Sequence, residues 1–576
     1  VLALDGVDYR DVMAARERGL FRQFREPSRL ISTFPSISDI AWHEIFNVQP
    51  PRGYQRIYYS TAYNDVIGTT LDAIRPIEFE DRMDMAFGAK FHHLSAYVAS
   101  NTVARREVDV AVRDFFKIGD RQTVYVYNVG PDALQHTRGD LDRYLRHLDQ
   151  RLNELQATYR ERTGRSLEIV VLSDHGHNRG VNAKFLAVTR GLEAHGFRAA
   201  SQLRAPTDVA FSVDGVTTGF GVFAAPESVE AVSRILLDMD GVDVVSTRLT
   251  DSTFLVRRDT LSARVERRRT TMGLRYRYVP IAGDPLRLEP VVHRMALAGV
   301  SVDGFADSRA WVQYSATSDY PAAVERIVRG HTSVTLNPAP ILVSLADGFR
   351  VGLGMVSVAN RMRPLGGTHG ALSATNSLGV LMTTFTETHD DITSTVRDQL
   401  GAFADLAEPR VAVAGARVTS AGLLAADPRG TIFSRGVNPL GPRTAPLLEI
   451  WLTAKDLSWM GPDGALLVQM RPAGRRDLRG DSVGTSYLPL ASLDDDSAPA
   501  GDAASPAGAW SASPDRRRFL LPVSAFYDVA LQPNQAYEIR VITDRFAARG
   551  RMAEATSRVA AVITLRTNDR GELWPY

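Results

Sequence analysis

No cysteine occurs anywhere in the 576 residues. That absence excludes disulfides, thiolate metal sites and cysteine nucleophiles, and leaves His, Asp and Glu as the side chains able to ligate a metal. An excess of charge of either sign is also missing: 67 Lys and Arg stand against 66 Asp and Glu, a net charge of +1. No global field therefore draws the chain to nucleic acid or to an anionic membrane, no stable nucleic-acid partner is expected, and an anionic substrate has to be held locally. No apolar run approaches the roughly 20 residues that span a bilayer, and no repeat of solenoid or propeller period is found. What is present is ordinary for a globular protein, 44% hydrophobic and 23% charged. The chain is longer than a single core supports, so two or more domains are expected.

The first 190 residues alternate short apolar strands with amphipathic helices, the pattern of a mostly parallel sheet covered on both faces. Residues 123–129 and 168–172 read as two such strands. Between them Asp140 caps a helix with Leu141, Tyr144, Leu145, Leu148, Leu152, Leu155 and Tyr159 on one face, stopped at Gly164. Residues 196–335, with the basic stretch Arg264 to Arg269, read as an inserted α/β cap subdomain. Residues 336–400 are expected to rejoin the first sheet, so that 1–195 and 336–400 form one α/β domain. From about 405 to 576 the alternation is that of an antiparallel, sandwich-like β domain, and Asp494 to Ala509 reads as a disordered loop. The opening Val-Leu-Ala-Leu-Asp-Gly-Val reads as a first buried strand, with a leader expected to have been trimmed before it.

In an open α/β sheet, ligands bind beyond the carboxyl ends of the strands. Asp5, Asp132 with His136, and Asp174 with His175 each follow an apolar strand, and His369 lies in the glycine-rich stretch Pro364 to Gly370. Singly, each is as readily a helix cap, a turn residue or a structural histidine. Together they supply oxygen and nitrogen donors of the kind zinc takes at about 2.0–2.2 Å, and six such ligands suit two metals. Two divalent cations bring four positive charges; three carboxylates cancel three, and a deprotonated serine would cancel the fourth. The serine comes from Ser32-Thr-Phe-Pro-Ser-Ile-Ser38, a polar turn before a helix whose N-terminus offers backbone donors to a phosphate. From the residues alone, the stronger reading is that Ser36, Ser38 or Asp39 merely caps that helix.

These residues resemble the alkaline phosphatase superfamily, in particular its nucleotide pyrophosphatase/phosphodiesterase and cofactor-independent phosphoglycerate mutase branches. The resemblance runs in order through Leu4-Asp5-Gly6, Pro35-Ser-Ile-Ser38, Asp132-x-x-x-His136, Ser173-Asp174-His175-Gly176 and Thr368-His369-Gly370. It covers about 1–190 and 336–390 and nothing beyond about 405. It implies an alkaline phosphatase-like fold in which Asp5, Ser38, Asp174 and His175 hold one metal, expected to be zinc, and Asp132, His136 and His369 hold the other. Ser38, three residues after Pro35, is the implied nucleophile, with Ser36 as the fallback, and the reaction passes through a phosphoseryl intermediate.

The missing Cys/Ser-x-Pro-x-Arg motif argues against a sulfatase. Diesters are favoured over monoesters, with a phosphomonoesterase or a phospho-group transferase on the same site as alternatives, and a catalytically silent binding protein as the alternative of another class. Ala41 stands where many nucleotide phosphodiesterases carry asparagine, and Asn64 is the one position considered for their second substrate asparagine. His43 and His177 are read as structural or exposed, and Asp149 as orienting a metal ligand or forming a surface ion pair. A phosphorylated small molecule or phosphodiester is the expected substrate, and the resemblance places the protein in the periplasm or outside the cell.

Overall fold

The computed structural model describes residues 1–48, 50–68, 79–80, 83–86, 92–118, 123–178, 183–211, 213, 215–271, 273–352, 366–385, 392–393 and, beyond these, chiefly the strands of a second unit. The chain divides into two compact units, Val1–Ala407 and Glu408–Tyr576.

The first unit is built on a seven-stranded sheet. Its strands are β1 (Leu2–Leu4), β2 (Ser28–Ile31), β3 (Met85–Ala86), β4 (Val126–Asn128), β5 (Val170–Ser173), β6 (Leu378–Thr383) and β7 (Ile392–Thr393), in the order β7-β2-β6-β5-β1-β4-β3. β1 runs parallel to β4 and β5, with Leu2 opposite both Val126 and Val171. β6 alone is antiparallel to its neighbours β2 and β5. Because side chains alternate across a strand, Leu2 and Leu4 join one core with Val171, Val380 and Met382, while Ala3 joins the other with Leu172 and Leu381. Burial on both faces is why these strands read as continuous apolar runs.

Helices α1 (Tyr9–Glu17), α4 (Ser100–Asp114) and α6 (Leu141–Thr163) cover the first face, and α2 (Ser38–Ile45) covers the second through Trp42 and Ile45. Also on this unit are α3 (His92–Val98) and α5 (Gly130–His136). As the sequence indicates, Asp140 caps α6 by accepting from Arg143 N at 2.9 Å, and Gly164 ends it with φ of 70°. Six of the seven apolar positions on its inner face are buried, and Tyr159 is half-buried.

The insertion is larger than the sequence suggests. Its nine-stranded sheet runs, in order, Ala306–Asp307, Gly273–Ala282, Leu261–Thr270, Thr253–Arg258, Val242–Arg248, Ile341–Leu345, Gly219–Ala224, Asp208–Ala210 and Arg198–Ala199. Ile341–Leu345, expected in the first sheet, pairs instead with Val242–Arg248 and Gly219–Ala224, and among the described residues only β6 and β7 return to the first sheet. The reason is that an apolar run fixes a buried strand without fixing its partner. Arg264 to Arg269 lie on the long strand Leu261–Thr270, where Arg264 and Arg277 both pair with Glu266. Helix α7 (Ala323–Gly330) packs its buried face beside this sheet. The excursion begins and ends at a single antiparallel bridge, Asn178 with Thr368.

Among its described residues the second unit holds two antiparallel sheets. One has four strands (Gly415–Thr419, Leu447–Thr453, Arg516–Pro522, Ala509–Ser513) and the other five (Gly484–Pro489, Ala465–Pro472, Ala536–Asp544, Ser557–Thr567, Leu573–Trp574). The segment 494–508 lies outside the described residues, and Ala509, assigned from sequence to the same loop, opens a strand.

Candidate active site

Topology brings the chemistry to one edge. The parallel strands β1, β2, β4 and β5 all point their carboxyl ends the same way, so Asp5, Ser38, Asp132 and Asp174 emerge together. β6 runs against them, so the segment that precedes it, His369 to Ser377, arrives at that same edge. Local bonds then fix the positions: Asp174 Oδ1 accepts from Gly6 N at 3.0 Å, and Ser173 Oγ accepts from Val7 N at 2.8 Å. Asp132 and His136 lie one turn apart on α5 and so share a face. The glycines before His369 let the chain lie on the end of α5: Gly366 N and Gly367 N donate to His136 O and Gln135 O, each at 2.8 Å. A Cβ on Gly366 would stand 2.1 Å from Gln135 O.

Two buried groups result. In one, ligand atoms of Asp132, His136, His177 and His369 lie within 4.8 Å of one another; in the other, those of Asp5, Asp174 and His175 do. The groups touch through His175 and His369, whose rings stack at 3.9 Å. Ser38 Oγ stands at the second group, 2.9 Å from Asp5 Oδ1 and 3.1 Å from His175 Nε2. His136, His175 and His369 each turn Nδ1 to a backbone carbonyl, of Gly367 (3.0 Å), Gly176 (3.1 Å) and Ser36 (2.9 Å). That contact places the proton on Nδ1 and leaves the Nε2 lone pair facing inward, the arrangement of a metal-ligating histidine.

The spacing of the inward atoms is that of ligands around an ion. His136 Nε2 and His369 Nε2 stand 3.4 and 3.5 Å from Asp132 Oδ1, and His175 Nε2 stands 3.4 Å from both Asp5 Oδ1 and Asp174 Oδ2. These are too long for good hydrogen bonds. A tetrahedral ion with arms of about 2.1 Å separates its ligand atoms by about 3.4 Å. Asp174 Oδ2 is buried and makes no hydrogen bond among the described residues. The donor set and its spacing fit divalent metal.

Electrostatics agree. Burial, reinforced by Asp132, raises Asp174 to about 8, and burial with Asp174 and Asp132 nearby pushes Asp5 well above the usual carboxylate range. Burial lowers His136 and His369 to about 4. Asp132 is opposed by burial, but the facing His136, His177 and His369 hold it well below the usual range. The pocket thus favours protonated over ionised carboxyl groups at Asp5 and Asp174, a preference a bound cation would reverse.

His177 is the residue that sequence reasoning missed. It is fully buried, with Nε2 2.7 Å from Asp132 Oδ1, and it is neither exposed nor remote. The Asn178–Thr368 bridge beside it draws it level with His369. Two tyrosines also escaped notice: Tyr127 donates to Asp5 Oδ2, and Tyr97 to Asp132 Oδ2 at 3.0 Å. They orient the carboxylates, the role considered for Asp149. Asp149 in fact accepts from Phe21 N at 2.9 Å and Gln23 Nε2 at 3.1 Å, and so ties down a turn. His43 is buried, its Nδ1 on Asp39 O and its ring against Phe79. Ser36, the fallback nucleophile, is buried with its hydroxyl bonded to Thr33 O and Ala371 O. Asn64 sits at a hairpin tip with φ of 46°, both ends of its amide bonded to Leu203 backbone, which leaves it no part in either group.

Gly6 gives a local test. Its φ is 69°, and a Cβ there would meet His177 Nε2 at 2.9 Å and Asp132 Oδ1 at 3.2 Å. Gly6→Ala is expected to displace both and lower turnover by about 10²-fold; wild-type kinetics in a folded Gly6→Ala protein would refute the packing described.

Residues 28–211 match the family model of type I phosphodiesterase / nucleotide pyrophosphatase. The resemblance to the alkaline phosphatase superfamily, which includes that phosphodiesterase family, therefore holds over a stretch that contains Ser38, Asp132, His136, Asp174 and His175. No curated protein sequence matches the chain. Among solved structures, similarity is found to human ectonucleotide pyrophosphatase / phosphodiesterase 5, at 10% identity and a TM-score of 0.37, over 69% of this chain and 93% of the other. Phosphonoacetate hydrolase from Sinorhizobium meliloti in complex with phosphonoformate is similar at 12% identity and 0.37, over 68% and 92%. An inactive murine ectonucleotide pyrophosphatase / phosphodiesterase 5 in complex with AMP gives 12% and 0.37, over 70% and 94%.

Proposed function

We propose that the chain is a two-metal hydrolase of phosphate esters, diesters favoured, with Ser38 as nucleophile. The observation that carries this is the pair of buried Asp/His groups whose ligand atoms stand at metal-ligand spacing, with the Ser38 hydroxyl against Asp5 and His175 of the second group. Asp5, Asp174, His175 and Ser38 would hold one ion, and Asp132, His136 and His369, joined by His177, the other. Nitrogen and oxygen donors without sulfur suit zinc. When bound, such ions supply positive charge to the nucleophile and leaving oxygens and lower the pKa of water.

The chain's own part can be followed group by group. Ser38 Oγ, deprotonated and held between Asp5 and His175, attacks phosphorus in line; the bond to the leaving oxygen breaks, and a phosphoseryl ester forms. Water then attacks that ester from the opposite side and frees Ser38. α2 begins at Ser38, so the positive end of its dipole would meet the phosphoryl oxygens there. The preference for diesters is supported by the family match over 28–211. Assay of the zinc-loaded protein on an aryl phosphate diester, a monoester and a sulfate tests the proposal. Diester cleavage that chelator abolishes is expected; dominant monoester cleavage would overturn the diester preference, and indifference to chelator the metal reading.

Loading should also release protons. Asp174, at about 8, is mostly protonated at pH 7, and Asp5 shifts in the same direction, whereas a bound cation requires both ionised. Calorimetric titration with zinc at pH 7 is expected to show release of about one proton or more in buffers of differing ionisation heat, with affinity rising as pH rises toward 8. Heats independent of the buffer would contradict the assignment.

A further inference from the structure

Arg326 lies in α7, on the inserted unit, and is completely buried. No carboxylate among the described residues forms an ion pair with it. Its guanidinium bonds only to neutral oxygens: Nε to Thr33 O at 3.3 Å, Nη1 to Pro321 O and Leu372 O at 3.0 Å each, and Nη2 to Thr33 O at 2.9 Å, Ser36 Oγ at 3.0 Å and Ser377 Oγ at 2.7 Å. Thr33 and Ser36 belong to the turn that delivers Ser38. Leu372 and Ser377 belong to the segment that follows His369.

These two segments are already in register with each other. Ser36 N donates to Gly370 O at 3.0 Å, Ser36 Oγ donates to Ala371 O, and His369 Nδ1 meets Ser36 O. Arg326 closes the arrangement from outside, where the planar fork of a guanidinium reaches acceptors on both segments at once, as the point charge of a lysine would not. A buried charge without a counter-ion is costly, and burial lowers this guanidinium to about 9. An apolar side chain would fill the space more cheaply, so the hydrogen bonds are what the position provides.

We propose that Arg326 is a positioning residue through which the inserted unit holds the Ser38 turn and the His369 segment as one piece, so that nucleophile and metal ligand keep a fixed separation. The proposal rests on the reading of Ser38 and His369 as site residues, but its first test does not use activity. Amide hydrogen exchange is followed in wild type and Arg326→Met, both metal-free. Exchange across 33–37 and 369–377 is expected to quicken together by about ten-fold or more, with β1, β4 and β5 unchanged. Quickening confined to α7, or spread over the whole unit, would overturn it.

In the zinc-loaded enzymes kcat is expected to fall by about 10²-fold with KM within about two-fold, and Arg326→Lys should not restore it. A loss carried by KM, or restored by lysine, counts against positioning. Should Arg326→Met not fold, Ser377→Ala removes one of the bonds and is expected to quicken exchange in both segments to a smaller degree; no change there would equally overturn the proposal. Absence of zinc binding and turnover in wild type would instead refute the metal-hydrolase reading and leave the exchange result to stand by itself.

Discussion

Turnover of an aryl phosphate diester is expected to fall by about 10⁴-fold or more when Ser38 is replaced by alanine, a loss of about 5 kcal/mol in transition-state stabilisation. Among the hydroxyls of this turn, that of Ser38 is the one turned to the ligand groups, against Asp5 and His175. Ser36 Oγ is bonded to two carbonyls, and Thr33 Oγ1 donates to Pro35 O at 2.9 Å, so neither is placed to substitute. Asp5, Asp174 and His175 remain in Ser38→Ala, and zinc content should therefore stay near that of wild type. Steady-state kinetics with metal analysis on the same preparation separates a lost nucleophile from a lost ion. Retention of more than about a tenth of wild-type turnover with full zinc content would remove Ser38 from the chemistry.

Asp132→Asn is expected to have the next largest effect. The Asp132 carboxylate is the hub of its group: Oδ1 faces His136, His177 and His369, and Oδ2 accepts from Tyr97. An amide has the same shape but no charge, so three imidazoles would be left around the ion without an anion to offset it. Zinc per chain should drop from about two to about one, and turnover by about 10³-fold, in the range of a lost ligand to a catalytic ion. Because the fold around α5 is undisturbed, the variant should melt cooperatively in its metal-free form. Two zinc ions per chain at full turnover in Asp132→Asn would show that the first group is not a metal site.

The positions of Asp5, Asp132, Asp174 and His175 were legible because each stands directly beyond a run of buried apolar residues, and parallel strands deliver such positions to one edge. His136 follows from Asp132 by one helical turn. His177 was not legible in the same way: it is two residues past a strand end, and only the pairing of Asn178 with Thr368, distant in sequence, turns it toward Asp132. Tyr127 was hidden for another reason. In an apolar strand an aromatic reads as core, which it is, while its hydroxyl reaches Asp5 at the rim of that core. Arg326 was masked by the opposite expectation, since an arginine on an amphipathic helix reads as solvated. The strand Ile341–Leu345 fell inside the segment assigned to the first sheet and belongs to the other, because its five buried residues carry no mark of their neighbours.

The bridge between Asn178 and Thr368 makes β5 and β6, adjacent and antiparallel, the two arms of a hairpin whose loop is an entire folded unit. All eight residues assigned to the site stand on the arms of that hairpin or on the strands and helices beside it, outside the loop. The entropy of closing a loop grows only as the logarithm of its length, so the loop's size is nearly a free variable as far as the ions are concerned. The molecule therefore separates a fixed reaction chamber from an exchangeable roof. Replacing the roof between residues 183 and 352 by another unit would leave His177 and His369 clasped at its hinge, with the acceptors now met by Arg326 and the bonds that Thr217, Thr218 and Ser344 make to the segment 369–376 as contacts the replacement would have to supply again.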